Sequence, residues 1–311
     1  MDTPVLVQVD HLMRYYGARC AVNDLSFTLH QGQVLGFLGP NGAGKTTTLQ
    51  LLAGCLAPDA GRILILGHDL RQQPLRAKAG LGYLPEQPPL YPELTVDEYL
   101  TYCARLHHLP RGRLATAVAK TKARCELETV GKRLLGHLSR GYRQRVGLAQ
   151  AIIHEPAVII LDEPAAGLDP VQQHELAGLI GELGREQGVI LSTHSLAEVQ
   201  SVCTHVQIIQ QGRLVYSSSL IALKQQSSHS LLVGFSVAPM LETLVALPAV
   251  DQVETLGEQR FRLHYTPPAD PVPTLLAQAL AQGWGLRELT PERGSLERRF
   301  IELLLGKQET T

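Results

Sequence analysis

Residues Gly39 to Thr46 read G-P-N-G-A-G-K-T, between an apolar run (Gln33 to Leu38, Q-V-L-G-F-L) that predicts a strand and a stretch from Thr46 to Leu56 with the composition of a helix. Gly39, Gly42 and Gly44 permit the φ angles that turn successive backbone N–H groups inward around phosphate oxygens, and the following helix aims its positive end at the same point. In such a loop Lys45 reaches β- and γ-phosphates and Thr46 puts its hydroxyl on Mg²⁺. Pro40, Asn41, Ala43 and Thr47 complete the expected nucleotide contacts. A bare Gly-rich turn is the competing reading. The full motif between strand and helix favours the phosphate loop.

Ala157 to Glu163 (A-V-I-I-L-D-E) reads as a buried strand delivering two acids to the edge of a parallel sheet, where ligands of such folds bind. Asp162 is expected to hold the metal, directly or through water, and Glu163 to orient and deprotonate the attacking water. An acid pair before Pro164 also suits the first turn of a helix, but after a phosphate loop that becomes the minor reading. A second anion site is offered by Leu138 to Arg145 (L-S-R-G-Y-R-Q-R), where Ser139 and the N–H groups near Gly141 precede a helix expected to run to about Ile153. His194 follows a short apolar strand and can hydrogen-bond a γ-phosphate oxygen, although an isolated histidine there is more often a cap.

In this order the motifs resemble those of the ATP-binding subunits of ABC transporters, over residues 5 to 220. Leu138-Ser139-Arg140-Gly141-Tyr142 is similar to the family signature L-S-x-G-Q, Gln87 to the Q-loop glutamine, Ala166-Gly167-Leu168-Asp169 to the D-loop, and His194 to the switch histidine. The resemblance implies ATP and Mg²⁺ as ligands, with Tyr16 stacked on adenine and Val22 packed nearby. It implies that Gln87 touches Mg²⁺ or water, and that Ser139 and Gly141 close over the γ-phosphate held by a second copy of the chain or a homologous ATPase. Ser139, Arg140, Gly141 and Asp169 then lie at the dimer interface; Asp169 is also the expected N-cap of the helix from Val171. Two positions depart from the family: Tyr142 replaces the usual glutamine, and Ala166 the serine that often opens the D-loop. Related exporter ATPases also carry L-S-x-G-Y-R-Q-R.

The fold class expected is therefore α/β: a phosphate-loop ABC ATPase over 1–220 with an inserted helical subdomain at about 88–155, followed by a small α+β domain over 221–311. In the helical stretch Thr95 and Glu98 form an expected capping box. The family uses this region, here Pro88 to Leu109, to contact its transmembrane permease partner. His107 and His108 show no third ligand at metal spacing and are read as solvated. Beyond Ser219, strands are expected at Ser230 to Val237, Val250 to Leu256, Arg260 to Tyr265 and Trp284 to Leu289, with helices at Pro273 to Ala281 and Ser295 to Leu305. The closing S-L-E-R-R-F-I-E-L-L resembles the ending of ATPases serving ABC-2 type exporters of drug, sodium and gliding-motility-associated systems, which favours export over import.

Composition agrees. With 28 basic and 29 acidic residues, no nucleic-acid partner is expected from electrostatics. The chain shows no apolar run of the ~20 residues needed to span a bilayer, and no secretory pattern, so the expected place is the cytoplasmic face of the membrane, attached through the permease. Five cysteines without a C-x-x-C pair are read as reduced and structural. A soluble ABC-type ATPase acting on a macromolecular machine is the alternative; such families usually carry two cassettes or long coiled-coil insertions, whereas this chain has one cassette and no long heptad tract. A phosphate-loop GTPase would lack the signature, and no N-K-x-D motif occurs.

Overall fold

The computed structural model describes residues 3–225, 229–266 and 268–292. The chain divides into two compact units, Met1–Ser218 and Ser219–Thr311.

The first unit opens with two long antiparallel strands, β1 (Val5–Tyr16) and β2 (Arg19–His30), then β3 (Val34–Leu38) and α1 (Lys45–Leu52). Next come β4 (Ala60–Ile65), β5 (His68–Asp69), α2 (Pro74–Ala79) and β6 (Leu81–Leu84). A helical stretch follows, with α3 (Val96–Leu106), α4 (Arg111–Arg124) and α5 (Arg140–Ile152), after which β7 (Val158–Asp162), α6 (Pro170–Leu183), β8 (Gly188–Thr193), α7 (Leu196–Val202), β9 (His205–Gln210) and β10 (Arg213–Ser219) alternate. These strands form two sheets, a four-stranded one in the order β2-β1-β4-β5 and a six-stranded one in the order β10-β9-β3-β8-β7-β6.

The central strands β3, β7 and β8 are buried along their whole length, as expected of parallel strands covered on both faces. Their pairing aligns the C-terminal ends: Leu38 lies opposite Thr193, and Asp162 opposite Ser192. This edge of an open parallel sheet is where ligands bind. The two sheets share one core, in which Phe27 of β2 meets Phe37 of β3 edge to face at 5.2 Å. Helix α1 stops at Leu52 rather than Leu56, because Gly54 turns the chain into the left-handed region at φ 66°.

In the helical stretch Thr95 and Glu98 close a reciprocal cap on α3: the Glu98 N–H donates to Thr95 Oγ1 at 3.3 Å, and the Thr95 N–H to Glu98 Oε2 at 2.8 Å. His107 is not simply solvated. Its ring stacks on His154, just past α5, with centroids 3.6 Å apart, and burial lowers the pKa of both rings.

The second unit runs α8 (Leu220–Gln225), β11 (His229–Phe235), α9 (Leu241–Val245), β12 (Gln252–Gly257), β13 (Arg260–Tyr265), α10 (Val272–Ala281) and β14 (Leu286–Glu292). Its antiparallel sheet has the order β12-β13-β11-β14, so β11 to β14 trace a ferredoxin-like β-α-β-β-α-β path. Both α9 and α10 cover one face, because Leu244, Leu247 and Leu275 share a core with Leu231, Val233, Phe235 and Phe261. The last strand begins two residues later than expected. Gly283 and Gly285, both at positive φ, flank Trp284, break the extended chain there and let the indole enter the core. The expected helix from Ser295 to Leu305 lies outside the described residues.

Replacing Thr95 with Ala removes the hydroxyl acceptor for the α3 N-terminus and is expected to cost about 1 kcal/mol. Urea denaturation followed by circular dichroism checks this; an unchanged midpoint would show that the cap contributes nothing.

Candidate functional site

The phosphate loop leaves the end of β3 and enters α1 directly. Gly44 has φ 107°, and a Cβ there would lie 2.3 Å from the Ala21 carbonyl oxygen, so both conformation and space demand glycine. At Gly39 a Cβ would meet the Ile209 carbonyl oxygen at 2.2 Å, which presses the loop onto β9. The Lys45 side chain is buried, donating to the Gly39 carbonyl at 2.8 Å and standing 3.7 Å from Glu163 Oε1.

The acids arrive from the neighbouring strands. Asp162, at the end of β7, is 1% exposed and accepts from Ser192 Oγ at 2.6 Å and from Thr46 Oγ1 at 3.1 Å. Burial pushes its carboxyl above the usual range, against the lowering effect of those two hydrogen bonds, and the nearby Glu86 charge adds to the rise. Glu163 follows at φ 46°, a left-handed conformation that costs a non-glycine residue about 1–2 kcal/mol. Its N–H donates to the Ser192 hydroxyl at 2.9 Å, which holds this backbone in place. His194 Nδ1 lies 2.9 Å from Glu163 Oε2, so the Nδ1–H tautomer donates to the carboxylate.

These groups surround a cleft of about 560 Å³ lined by Tyr16, Arg19 and Ala21, by the loop from Asn41 to Thr47, and by Glu86, Glu163, Ala166 and His194. Val22, expected beside Tyr16, does not reach it. Its side chain is fully buried in the core, and the preceding Ala21 faces the cleft. Gln87 lines a neighbouring groove with Pro88, Arg140 and Arg143, while Glu86 borders both cavities.

Of the signature and D-loop residues, Ala166 lines this cleft, whereas Ser139, Arg140, Gly141 and Asp169 do not. Ser139 caps α5, accepting from the Tyr142 N–H at 3.4 Å, and Asp169 caps α6, accepting from the Gln172 N–H at 3.0 Å. The two segments touch: a Cβ on Gly167 would collide with the Arg140 guanidinium, and one on Gly141 with the Gln172 amide. No local motif marks Arg19, Ala21 and Glu86, which line the cleft, or the Ser192 hydroxyl, which donates to Asp162. Only the pairing of β7 with β8 reveals Ser192, since the motif L-S-T-H-S drew attention to its histidine alone.

The donor set suits Mg²⁺. Thr46 and Asp162 offer hard oxygens, and among the described residues no cluster of three or more His, Cys, Asp or Glu could cage a metal. Magnesium is commonly bound this way, by one or two protein oxygens completed with substrate phosphates.

The ABC transporter family model matches residues 22–166. The linearmycin resistance ATP-binding protein LnrL of Bacillus subtilis (strain 168) is 30% identical, over 96% of this chain and 98% of its own length. The Nod factor export ATP-binding protein I of Ralstonia nicotianae (strain ATCC BAA-1114 / GMI1000) is 33% identical, over 97% of this chain and 94% of its own. Among solved structures, a bacterial ABC transporter cassette in dimeric form shares the fold with a TM-score of 0.64 at 20% identity, over 69% of this chain and 99% of its own.

Asp162→Asn is expected to raise the melting temperature of the nucleotide-free protein at neutral pH, because the raised folded-state pKa means that the buried carboxylate destabilises the fold when charged. The penalty is fully present above the folded pKa and is relieved as pH falls through it. The gap between variant and wild type should therefore narrow on acidification in melts from pH 7.5 to 4. A gap that widens would contradict the burial argument.

Proposed function

Because this chain belongs to the ABC transporter family as an ATP-binding subunit and ATPase, we propose that it hydrolyses ATP in a head-to-tail pair and thereby drives transmembrane permease subunits, in the export direction. One observation carries the catalytic part: Lys45, Thr46, Asp162, Glu163 and His194 converge at the ends of β3, β7 and β8.

In this reading the loop N–H groups and Lys45 bind the phosphates, and the Tyr16 ring takes the adenine. Thr46 and Asp162 hold Mg²⁺, which neutralises charge on the β- and γ-phosphates when bound. Glu163 orients the attacking water and accepts its proton, with its carboxylate steadied by His194. Turning that Nδ1–H from Glu163 to a γ-phosphate oxygen lets His194 register whether that phosphate is present. Gln87 borders the neighbouring groove and suits a link between the cleft and the helical stretch, where Pro88 to Leu109 meets the permease.

The pairing follows from what one chain lacks. Ser139 and the N–H groups near Gly141 form a helix-N-terminal anion site outside their own cleft, and so they serve the γ-phosphate of a second copy. Arg140 and Asp169 lie beside them at that interface, where Ala166 contributes no hydroxyl. The dimeric form of the solved cassette supports this arrangement, and the named export function of the Nod factor relative supports the direction. Among the described residues no helix is long and apolar enough to cross a membrane, in keeping with attachment to the cytoplasmic face through the permease.

Glu163→Gln is expected to lower turnover by about 10²–10⁴-fold and to hold an ATP-bound dimer, seen as doubled mass by light scattering. Lys45→Ala should abolish tight nucleotide binding. Undiminished turnover in either variant would sink the assignment.

A further inference from the structure

The Tyr16 ring in the nucleotide cleft does not stand alone. Arg14, two residues earlier on β1, lays its guanidinium over the ring, with Cζ 5.2 Å from the centroid. The guanidinium is held from below. Its Nη1 donates to the Ala57 carbonyl at 3.1 Å and to Asp59 Oδ1 at 3.3 Å. Asp59 is itself fixed to the same strand, because its N–H donates to the Met13 carbonyl at 2.9 Å and its Oδ2 accepts the Tyr15 N–H at 2.7 Å. Residues 12 to 15 carry register shifts in the pairing of β1 with β2, so simple alternation does not set the Tyr16 ring. The side-chain clamp does.

We infer that Arg14, anchored by Asp59 and the Ala57 carbonyl, is a positioning residue that fixes and polarises Tyr16 as the platform for the nucleobase of ATP. The inference rests on the reading of Tyr16 as the base platform. A guanidinium over one face of the ring leaves the other to the base and draws electron density from it, which strengthens stacking with an electron-rich purine. Tyr16, 47% exposed, has little packing of its own to fix its rotamer. Freed from Arg14, it would have to be ordered by the nucleotide at an entropic cost. Lysine keeps the charge without the planar fork, so it should substitute only in part.

The test is a double-mutant cycle on the full chain, with Arg14→Ala, Tyr16→Ala, the double variant and Arg14→Lys, titrated with ATP and with inorganic triphosphate, which has no base. Arg14→Ala is expected to weaken ATP binding about three- to tenfold. Arg14→Lys should fall between it and wild type, and the double variant should bind ATP no worse than Tyr16→Ala alone. Triphosphate affinity should stay the same throughout, which also reports that the phosphate loop is folded. Losses that multiply in the double variant, or an equal loss for triphosphate, overturn the inference. If Tyr16→Ala leaves ATP affinity unchanged, the base-platform reading fails and this inference with it. If Tyr16→Ala weakens ATP binding while Arg14→Ala does not, only the role of Arg14 fails.

Discussion

The site depends on one hydroxyl. Ser192 lies opposite Asp162 in the parallel ladder of β7 and β8, donates its proton to the Asp162 carboxylate and accepts the N–H of Glu163. A single buried side chain thus stabilises a carboxylate out of contact with water and holds the backbone of the next residue in a left-handed turn. Both are costly alone: a buried charge without hydrogen bonds would be neutralised, and a non-glycine residue at positive φ would relax. Together they aim two adjacent acids at different tasks, Asp162 toward Thr46 and Glu163 toward Lys45 and His194.

That division of labour explains why the central sheet is so uniformly apolar. Strands β3, β7 and β8 have no solvent face, and their packing leaves no freedom to shift the ends that carry the loop and the acids. The loop is pressed between β2 and β9, where Gly39 and Gly44 admit the Ile209 and Ala21 carbonyls that any side chain would displace. Rigidity around the loop contrasts with the open flank of the cleft. There Tyr16 is half exposed, Arg19 reaches from β2 to donate to the Gly42 carbonyl at 3.0 Å, and side chains rather than backbone set the geometry.

Around this centre the chain carries two regions of different character. In the helical stretch His107 stacks on His154, whose Nε2 lies 3.1 Å from the Leu81 carbonyl of β6, and the capped α5 displays Ser139 and Gly141. The second unit has its own core and its own sheet, and on the other face of that sheet Arg260 makes a bidentate pair with Glu288.

Much of this is legible in the sequence. The phosphate loop, the apolar strand ending in Asp162 and Glu163, the capped helix after Thr95 and the family of the chain all follow from local patterns, because spacing along the backbone directly sets which groups face a phosphate or a helix end. The expected helix end at Leu56 and strand start at Trp284 failed where a left-handed glycine turned the chain earlier than composition suggested. Val22 was assigned to the cleft by resemblance, yet strand alternation turns it into the core. Ser192, Arg19 and the Arg14 clamp on Tyr16 needed the tertiary structure. Each of these joins groups that are distant in sequence or set by an irregular strand. The local sequence determines which chemistry each segment can offer, but only the register between strands and the packing of side chains decides which of those groups meet.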